Sequence, residues 1–392
     1  MCGIAGLIAR DGTPDPALVE RMTAALVHRG PDDGSTDAFG RCVLGHRRLK
    51  VIDLDTGDQP VADESGEIVA VLNGELYNFR ELRRELEAHE IRGTGDTPVI
   101  PHLYEEHGPR FVERLDGMFA IALWDARRER LVLARDRLGK KPLLWTTLPD
   151  GTLAFASELK ALLRLPGLRR ELDLAALDAY LALQYVPGGR TALRGVEKLP
   201  PGHVLVWERG RVEVTRYWEP SVARESLSDE EWLERVRAVV GEAVRARLVA
   251  DVPLGALLSG GIDSSIVVAL IAQASAEPVR TFTVGFADER YDERPYARAV
   301  AARYGTRHEE IVLEPDAADV LPRLAWAYDE PLGDEAALPQ FLICEAARRH
   351  VTVALGGDGG DESFAGYERY AAIGLAGLFG RLPAAVPRAG AR

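Results

Sequence analysis

The sequence predicts two domains, an α+β domain followed by an α/β domain built on a parallel sheet. The chain has 392 residues, more than one compact core usually holds. Its first half shows mainly strand patterns with a few helices. Its second half alternates strands and helices, as βαβα units do. We expect the boundary near residues 215–228, with domains over 2–215 and 229–392.

The elements of the first half follow from hydrophobic periodicity and from Asp, Gly and Pro turn signals. Two segments with helical spacing are Ala17–His28 and Phe79–Glu90. The segments with strand patterns are Val43–Ile52, Ile68–Leu72, Phe119–Trp124, Arg130–Ala134 and Val204–Trp207. The short polar segment 125–129 predicts that the strands on either side of it form a hairpin.

The second half begins with a long helix and then alternates. Ser228 is a candidate N-cap for a helix reaching about Val249, with Glu230 and Glu231 in its first turn. The predicted strands are Leu254–Leu258, Arg280–Phe286, Glu309–Leu313 and Val351–Leu355. The predicted helices are Ser264–Ala274, Pro295–Tyr304 and segments near 317–328 and 338–350. Residues 382–392 have the composition of a Pro/Ala/Arg coil.

Composition excludes several classes of protein. The net charge of −13 makes a nucleic-acid partner unfavourable, so a phosphate site must be local. The three cysteines are Cys2, Cys42 and Cys344, an odd number at wide spacings without C-x-x-C. This argues against a disulfide framework or a zinc site and favours a reducing cytoplasm. No apolar run approaches the length of a membrane span, and residues 1–20 lack a signal-peptide core.

Cys2 is the most informative residue of the first half. Methionine is usually trimmed before a small residue, which would leave Cys2 at the N-terminus with a thiol and an α-amine. An α-amine titrates near pH 8, so about a tenth of it is neutral at pH 7 and able to accept a proton. Cys2 is therefore a candidate nucleophile with its own general base.

The second half carries a candidate phosphate loop where a strand ends and a helix begins. Its sequence is Leu257-Leu258-Ser259-Gly260-Gly261-Ile262-Asp263-Ser264-Ser265. Glycines let the backbone approach an anion, and a helix N-terminus offers N–H groups and a positive dipole. Asp263 would repel phosphate without a metal between them, which implies Mg²⁺. The loop lacks the lysine of the Walker motif.

A second glycine cluster, residues 355–362, follows another strand and contains Gly356, Gly357, Asp358, Asp361 and Glu362. In open parallel sheets, ligands bind outside the carboxyl ends of the strands. We therefore expect both clusters to face one nucleotide. Their carboxylates suit metal binding or substrate polarisation.

Taken together, these residues resemble the glutamine-hydrolysing asparagine synthetase family from Cys2 to about Tyr370. The first half is similar to a class II glutamine amidotransferase in residues 1–4, 28–32, 46–49, 73–78, 93–97, 116–120, 135–142 and 156–160. The second half is similar to a pyrophosphate-loop synthetase in residues 259–265, 281–286, 329–331, 356–362 and 366–367. The resemblance implies an Ntn-hydrolase αββα sandwich followed by an adenine nucleotide α-hydrolase-like domain.

For the first half, the resemblance implies a glutamine site. Cys2 would attack the side-chain amide, and Asn73 and Gly74 would donate hydrogen bonds to the developing oxyanion. Arg48 would bind the α-carboxylate and Asp96 the α-ammonium of glutamine. The remaining residues implied in glutamine binding are Val51, Ile52 and Glu75.

For the second half, the resemblance implies ATP-dependent amidation of aspartate. Aspartate and ATP would form an aspartyl-adenylate, and ammonia would displace AMP. The implied ATP-binding residues are Leu257, Ser259, Gly260, Gly261, Asp263, Ser264, Ser265, Val284, Gly356 and Gly357. Asp263 and Asp361 would hold Mg²⁺, and Asp358 is the implied catalytic carboxylate. The expected partners are small-molecule substrates, without nucleic acid or membrane, and a homodimer stays open.

The chain departs from the family pattern in three places. Gly356 replaces a usual serine, which removes one hydroxyl donor to the nucleotide. Pro98 replaces a usual acidic residue, although proline suits a first helical turn. The chain also stops about twenty residues after Tyr370, so we expect it to be a truncated chain.

Three alternative functions stay open at this point. The chain could amidate another carboxylate, such as a polymer-linked acid, because no motif marks the acid-binding residues. It could act as a glutaminase only. It could also be a folded, non-enzymatic partner subunit, in which case changing Cys2 to alanine would have no consequence.

Overall fold

The computed structural model describes residues 1–286, 292–313 and 317–379. The chain forms two compact units that are not continuous in sequence. The first contains Met1–Val239, Val249–Val252 and Pro315–Phe341, and the second contains Val240–Leu248, Pro253–Glu314 and Leu342–Arg392. The predicted boundaries 2–215 and 229–392 stay a prediction, and the predicted coil over 382–392 lies outside the described residues.

The first unit contains two antiparallel sheets. Its strands are β1 (Gly3–Ile8), β2 (Asp33–Phe39), β3 (Cys42–Arg48), β4 (Val61–Ala62), β5 (Ile68–Leu76), β6 (Gly117–Asp125), β7 (Arg130–Arg135), β8 (Leu144–Thr147), β9 (Leu153–Ala156), β10 (Glu197–Lys198), β11 (His203–Glu208) and β12 (Arg211–Arg216). One sheet has the order β10-β8-β9-β1-β3-β2 and the other β12-β11-β7-β6-β5-β4. The predicted hairpin is confirmed as β6 and β7, in which Asp125 pairs with Arg130.

Helices cover the outer faces of the two sheets. They are α1 (Pro16–Ala24), α2 (Phe79–Glu85), α3 (Val99–His107), α4 (Leu159–Leu162) and α5 (Leu174–Leu183), with a 3-10 helix over Gly108–Arg114. Residues of α1 and α4 form a core with one sheet, and residues of α2 and α3 form a core with the other. A third core, which includes Ile4, Leu44, Trp124 and Phe155, joins residues from both sheets. These four layers confirm the expected αββα sandwich.

Two predicted helices end earlier than the periodicity indicates. The first ends at Ala24 instead of His28, and turns lead to Gly30-Pro31. After Ala24 the main-chain bonds run to the third preceding residue, as from the Leu26 N–H to the Thr23 carbonyl oxygen at 2.9 Å, so the apolar spacing continues through tight turns and not through α-helix. The second ends at Glu85, and Leu86 is its C-cap. Pro98 precedes α3 as its N-cap, so the helix starts there as expected.

The second unit is built on a parallel sheet of four strands in the order β15-β14-β13-β16. These strands are β13 (Leu254–Leu257), β14 (Arg280–Phe286), β15 (Arg307–Leu313) and β16 (Val353–Leu355). The remaining helices of the chain are α6 (Asp229–Ala246), α7 (Ile262–Ala274), α8 (Arg294–Tyr304), α9 (Ala317–Tyr328), α10 (Ala337–Ala347), α11 (Gly360–Phe364) and α12 (Glu368–Phe379). The βαβα alternation predicted from the sequence is confirmed.

Helices flank the sheet of the second unit. One core joins Ala256 of β13 to Val268 of α7 and Ala297 of α8, and a second joins Phe282 of β14 to Ile343 of α10. The predicted N-cap of α6 is confirmed in a reciprocal form. The Glu231 N–H donates to Ser228 Oγ at 3.3 Å, and the Ser228 N–H donates to Glu231 Oε2 at 2.8 Å. No helix in the described part of the chain is long and apolar enough to cross a membrane.

Candidate active site

Cys2 immediately precedes β1, a central strand between β9 and β3. Its thiol is partly buried against the main chain of Leu49, whose N–H donates to Cys2 Sγ at 3.4 Å. Burial raises the pKa of the Cys2 thiol, although the Leu49 N–H and the charge of Lys141 act in the opposite direction. The thiol is therefore protonated at neutral pH, and a nucleophilic role requires a base.

A buried ion network fixes the main chain at Cys2. Arg29 Nε donates to the Cys2 carbonyl oxygen at 2.9 Å, and Arg29 Nη1 donates to Glu158 Oε1 at 2.7 Å. The other oxygen of Glu158 contacts His28 Nε2 at 2.8 Å and also accepts from Lys160 Nζ. Burial alone would raise the pKa of Glu158, but these partners outweigh it and lower the pKa to about 2.

The same network includes a distant segment of the first unit. Lys160 Nζ lies 3.1 Å from Asp329 Oδ1, and the Lys160 main-chain N–H donates to Asp329 Oδ2 at 2.9 Å. The ring of Trp326 packs edge-on against His28, with 4.4 Å between the ring centroids. Asp329 belongs to a motif that resembles the synthetase half, and its carboxylate is bound by Lys160 of the first unit.

Asn73 lies in β5 with its side chain fully buried. Neither Nδ2 nor Oδ1 of its amide has a hydrogen-bond partner among the described residues. A buried amide without partners costs free energy, which indicates a function that uses it. Its neighbour Gly74 pairs with Phe119, and a Cβ at Gly74 would come within 2.0 Å of the Met118 carbonyl oxygen. Only glycine therefore fits at position 74.

Near Cys2, Asp96 and Lys141 are buried and Glu75 is half-buried. The charges of Asp96 and Lys141 act on the pKa of the Cys2 thiol and also on the pKa of Glu75. Burial, with the nearby Asp96, raises the pKa of Glu75 to about 7. Burial lowers the pKa of Lys141 to about 8, while Glu75 acts against it. Burial also raises the pKa of Asp96, although Asp96 Oδ2 accepts from the Leu76 N–H at 2.8 Å. The charge of Asp96 thus acts on both the Cys2 thiol and the Glu75 carboxyl, and the roles of the three residues in glutamine binding stay a prediction.

Arg48 is buried at the end of β3, and its guanidinium is occupied within the protein. Nη1 donates to Asp58 Oδ1 at 2.8 Å, and Nη2 donates to the Asp53 carbonyl oxygen. The Arg48 side chain lines a cleft together with Asp33, Gly34, Ser35, His46, Asp58 and Gln59. Val51 and Ile52 lie half-buried in the loop that follows. A ligand carboxylate at Arg48 would replace Asp58.

Asp53 is a residue to which the sequence analysis assigned no role. Its Oδ2 accepts from Thr56 Oγ1 at 2.6 Å and from the N–H groups of Thr94 and Gly95 at 2.9 and 2.8 Å. Burial raises its pKa, but the hydrogen bonds from Thr56 and Thr94 outweigh this and hold the pKa well below its usual range. Asp53 thereby joins the loop of Val51 and Ile52 to the turn before Asp96.

In the second unit, the candidate phosphate loop connects β13 to α7. Gly260 has a φ of 89°, which favours glycine, and a Cβ there would come 2.5 Å from the Ala297 nitrogen. Ser259 Oγ lies 3.1 Å from Ser264 Oγ and accepts from the Gly261 N–H at 3.1 Å. The loop precedes the 13-residue helix α7, whose first turn contains Asp263 and Ser264. The predicted strand–loop–helix arrangement is therefore present.

The second glycine cluster follows β16, which pairs with β13 in parallel. A Cβ at Gly357 would come 2.8 Å from the Ser264 nitrogen, and a Cβ at Gly360 would come 2.2 Å from Asp263 Oδ2. The two loops therefore pack against each other at the carboxyl ends of β13 and β16, as expected. This cradle of small residues, hydroxyls and carboxylates fits a nucleotide with Mg²⁺. Leu257 and Val284 lie half-buried on neighbouring strands at this edge.

A test of the network at Cys2 uses Glu158→Gln. Because the pKa of Glu158 falls from 4.5 to about 2 on folding, its charge stabilises the fold by on the order of 3 kcal/mol above pH 4.5. This contribution is lost as pH falls from 4.5 towards 2. We expect Glu158→Gln to lower the urea midpoint at pH 7, and the difference from the parent to narrow between pH 4.5 and pH 2.

The control is Glu171→Gln, which removes an exposed partner of Arg194. Such surface pairs contribute less than about 1 kcal/mol. A Glu158→Gln midpoint equal to that of the control at pH 7 would contradict the role of the network.

Comparison with known proteins identifies a family for each part of the chain. A family model described as a glutamine amidotransferase domain matches residues 1–218, and one described as asparagine synthase matches residues 235–390. The solved structure of the allosteric regulatory enzyme of purine biosynthesis gives a TM-score of 0.43 at 15% identity, covering 79% of this chain and 80% of that chain. That likeness is too weak to carry an argument.

Two curated relatives are similar over most of the chain. Asparagine synthetase (glutamine-hydrolyzing) 1 of Bacillus subtilis (strain 168) is 35% identical over 378 residues, covering 94% of this chain and 59% of that protein. The putative asparagine synthetase (glutamine-hydrolyzing) 2 of Methanocaldococcus jannaschii is 34% identical over 393 residues, covering 94% and 76%. The chain thus spans about three fifths of the length of the first relative. The chain belongs to the glutamine-hydrolysing asparagine synthetase family.

Proposed function

We propose that this protein uses glutamine as the nitrogen source for the ATP-dependent amidation of aspartate to asparagine. The observation that carries the proposal is the buried amide of Asn73, which has no hydrogen-bond partner among the residues that the structure describes, in a unit that also holds the Cys2 thiol. A phosphate loop in the second unit supports the second half of the reaction. The family to which the chain belongs supports the coupling of glutamine hydrolysis to the amidation of aspartate.

Glutamine hydrolysis begins at Cys2 after removal of Met1. The α-amine of Cys2 takes the thiol proton, and sulfur attacks the amide carbon of the glutamine side chain. The Asn73 amide and the Gly74 N–H donate to the oxygen as it becomes negative. The carbon–nitrogen bond then breaks, the amine returns the proton to the leaving nitrogen, and ammonia departs. Water hydrolyses the remaining thioester to glutamate.

Charged residues around Cys2 select the α-carbon end of glutamine. Arg48 binds the α-carboxylate, exchanging its contact with Asp58 for two parallel hydrogen bonds. Asp96 and Glu75 bind the α-ammonium, which favours the charged forms of both carboxyls and offsets the burial that raises their pKa values. Val51 and Ile52 pack on the methylene groups.

The second unit activates the acid. Aspartate oxygen attacks the α-phosphorus of ATP, and pyrophosphate leaves towards Ser259, Gly260, Gly261, Ser264 and Ser265 at the start of α7. The adenosine contacts are Leu257, Val284, Gly356 and Gly357. Asp263 and Asp361 would hold Mg²⁺, which neutralises phosphate charge when bound. Asp358 polarises the substrate, and ammonia then displaces AMP to give asparagine.

The substrates, the partners and the cellular location of the protein are part of the same proposal. Its substrates are glutamine, aspartate and ATP, and the net charge of −13 speaks against nucleic acid as a partner. We place the protein in the cytoplasm, because its cysteines are odd in number and widely spaced. A homodimer is an open part of the proposal.

The direct test is formation of asparagine and pyrophosphate by the purified chain with aspartate, ATP and Mg²⁺, supplied with either glutamine or ammonium. We expect asparagine from both nitrogen sources. Cys2→Ala should abolish the glutamine-dependent reaction and leave the ammonium-dependent one. Asp263→Asn should abolish pyrophosphate and asparagine formation with either nitrogen source and leave glutamate release from glutamine intact.

Two other results have defined meanings. Glutamate release without pyrophosphate would contradict aspartate amidation by this chain and favour a glutaminase or a different acceptor acid. Absence of both products, with Cys2→Ala without effect, would favour a non-enzymatic partner subunit.

Asn73→Ala tests whether the Asn73 amide contributes to the rate of glutamine hydrolysis and not to the stability of the fold. We expect kcat for glutamine hydrolysis to fall about 10²–10³-fold, the loss typical of one oxyanion donor. Because alanine removes a buried amide that has no partner within the described residues, the thermal midpoint should not fall.

Asn78→Ala is the matched control. Its side chain bonds the main chain of Arg114 and Asp116 at 2.9 and 3.0 Å, so its loss should lower the midpoint and spare kcat. Equal kcat losses in both variants would contradict the role of Asn73.

A further inference from the structure

Four potential metal ligands converge on the outer layer of the first unit. Glu64 lies in the turn between β4 and β5, His89 follows α2, and His102 and Glu105 lie one turn apart on α3. One ligand atom from each lies within 4.8 Å of every other. We call these residues the His/Glu cluster. None of them is proposed above to bind glutamine or ATP.

The spacing of the cluster fits a small tetrahedral ion. His89 Nδ1 lies 3.3 Å from Glu64 Oε1 and 3.7 Å from Glu105 Oε2, and His102 Nδ1 lies 3.4 Å from Glu64 Oε2. Zinc binds imidazole nitrogen and carboxylate oxygen at about 2.0–2.2 Å, which places neighbouring ligands of a tetrahedron roughly 3.3–3.6 Å apart. The measured separations lie close to this range.

His102 gives an independent indication of a ligand. Its side chain is 1% exposed. Its Nδ1 is buried and has no hydrogen-bond partner in the described part of the chain, because the approach to Glu64 does not meet hydrogen-bond geometry. A buried ring nitrogen aimed at a carboxylate without bonding it is the arrangement that an ion between the two would satisfy.

Residues around the His/Glu cluster hold its members in place. His89 Nε2 lies 3.1 Å from Glu106 Oε1, so a carboxylate orients the ring as it does for many metal-bound histidines. Arg127 Nη1 donates to Glu105 Oε1 at 3.1 Å, which leaves Oε2 on the side of His89. The Glu90 N–H donates to Glu64 Oε1 at 2.9 Å. Each ligand except His102 is thus positioned by a second residue.

We propose that Glu64, His89, His102 and Glu105 form a structural zinc site. Two neutral imidazoles and two carboxylates balance the charge of the ion and give it four protein ligands, the number that a closed structural site has. Glu64 and Glu105 are 37% and 31% exposed, so the ion can enter from solvent. The cysteine count argues only against cysteine-based zinc sites, and this cluster contains no cysteine. The ion would clamp the β4–β5 turn, the segment after α2, and α3 to one another.

The test is zinc binding by the full chain after removal of metals with a chelator, measured by competition with a chromophoric zinc chelator. Cys2→Ala serves as the background, because it removes the thiol next to the N-terminus as a competing ligand. We expect near one zinc ion per chain, a higher thermal midpoint with zinc, and no comparable effect of Mg²⁺. X-ray absorption should give only nitrogen and oxygen neighbours, at about 2.0–2.2 Å.

Variants locate the site. His89→Ala and Glu105→Gln should abolish the zinc-dependent rise in midpoint, and Glu106→Gln should weaken binding about 10-fold as a loss of an orienting partner does. His107→Ala is the matched control, since it removes a neighbouring histidine of α3 outside the cluster. Because two partly exposed ligands are tested separately, the result does not depend on the fully buried His102.

The proposal is overturned if the metal-free protein takes up no zinc, or if His89→Ala and Glu105→Gln bind it as His107→Ala does. In either case the cluster is an ion-pair and hydrogen-bond group only. None of these readouts uses glutamine or ATP, so failure of the zinc site and failure of the proposed amidation are distinguishable.

Discussion

The carboxylate of Glu158 is buried and ionised, and the position of Cys2, the proposed nucleophile, depends on it. It binds Arg29 through one oxygen, and Arg29 binds the Cys2 carbonyl oxygen. Removing one partner of a buried ion group leaves the others unpaired, which costs several kcal/mol. The network therefore fixes the main chain of Cys2 through the hydrogen bond from Arg29 to its carbonyl oxygen. The same carboxylate contacts Lys160, which contacts Asp329, so one network of ion pairs joins residues that are far apart in sequence.

Both proposed sites use backbone at the ends or edges of strands. Cys2 immediately precedes β1, and in the second unit two glycine-rich loops follow the parallel strands β13 and β16. Close packing leaves no room for a side chain at Gly74 or Gly357. Asn73 lies beside Gly74 in β5 and is fully buried. Its amide is buried and has no partner in the described part of the chain, which lowers stability and, in the proposed mechanism, keeps a donor available for the oxyanion.

Local patterns predicted the hairpin of β6 and β7, the βαβα alternation and the Ser228 cap, because turns, strand–helix rhythm and caps are encoded within a few residues. Motifs indicated Cys2, Glu75 and Asp96, whose roles in glutamine binding stay a prediction, and in the structure the charge of Asp96 acts on both of the others. The sheet order could not be predicted, since pairs such as Ala5 with Ala156 join distant segments. The roles of Glu158 and Asp53, and the His/Glu cluster, also depend on such contacts. Within the cluster, only the i, i+3 spacing of His102 and Glu105 is a local signal.

The central claim is that Cys2, with its own α-amine as base, is the nucleophile of amide hydrolysis. The most direct measurement is labelling of the protein with a glutamine analogue that carries an electrophilic carbon in place of the side-chain amide, followed by mass analysis of the peptides. The account predicts a single adduct on a peptide that begins at Cys2 and lacks Met1, and none on Cys42 or Cys344. An adduct on either of those cysteines, or on Cys2 in a chain that retains Met1, would contradict it.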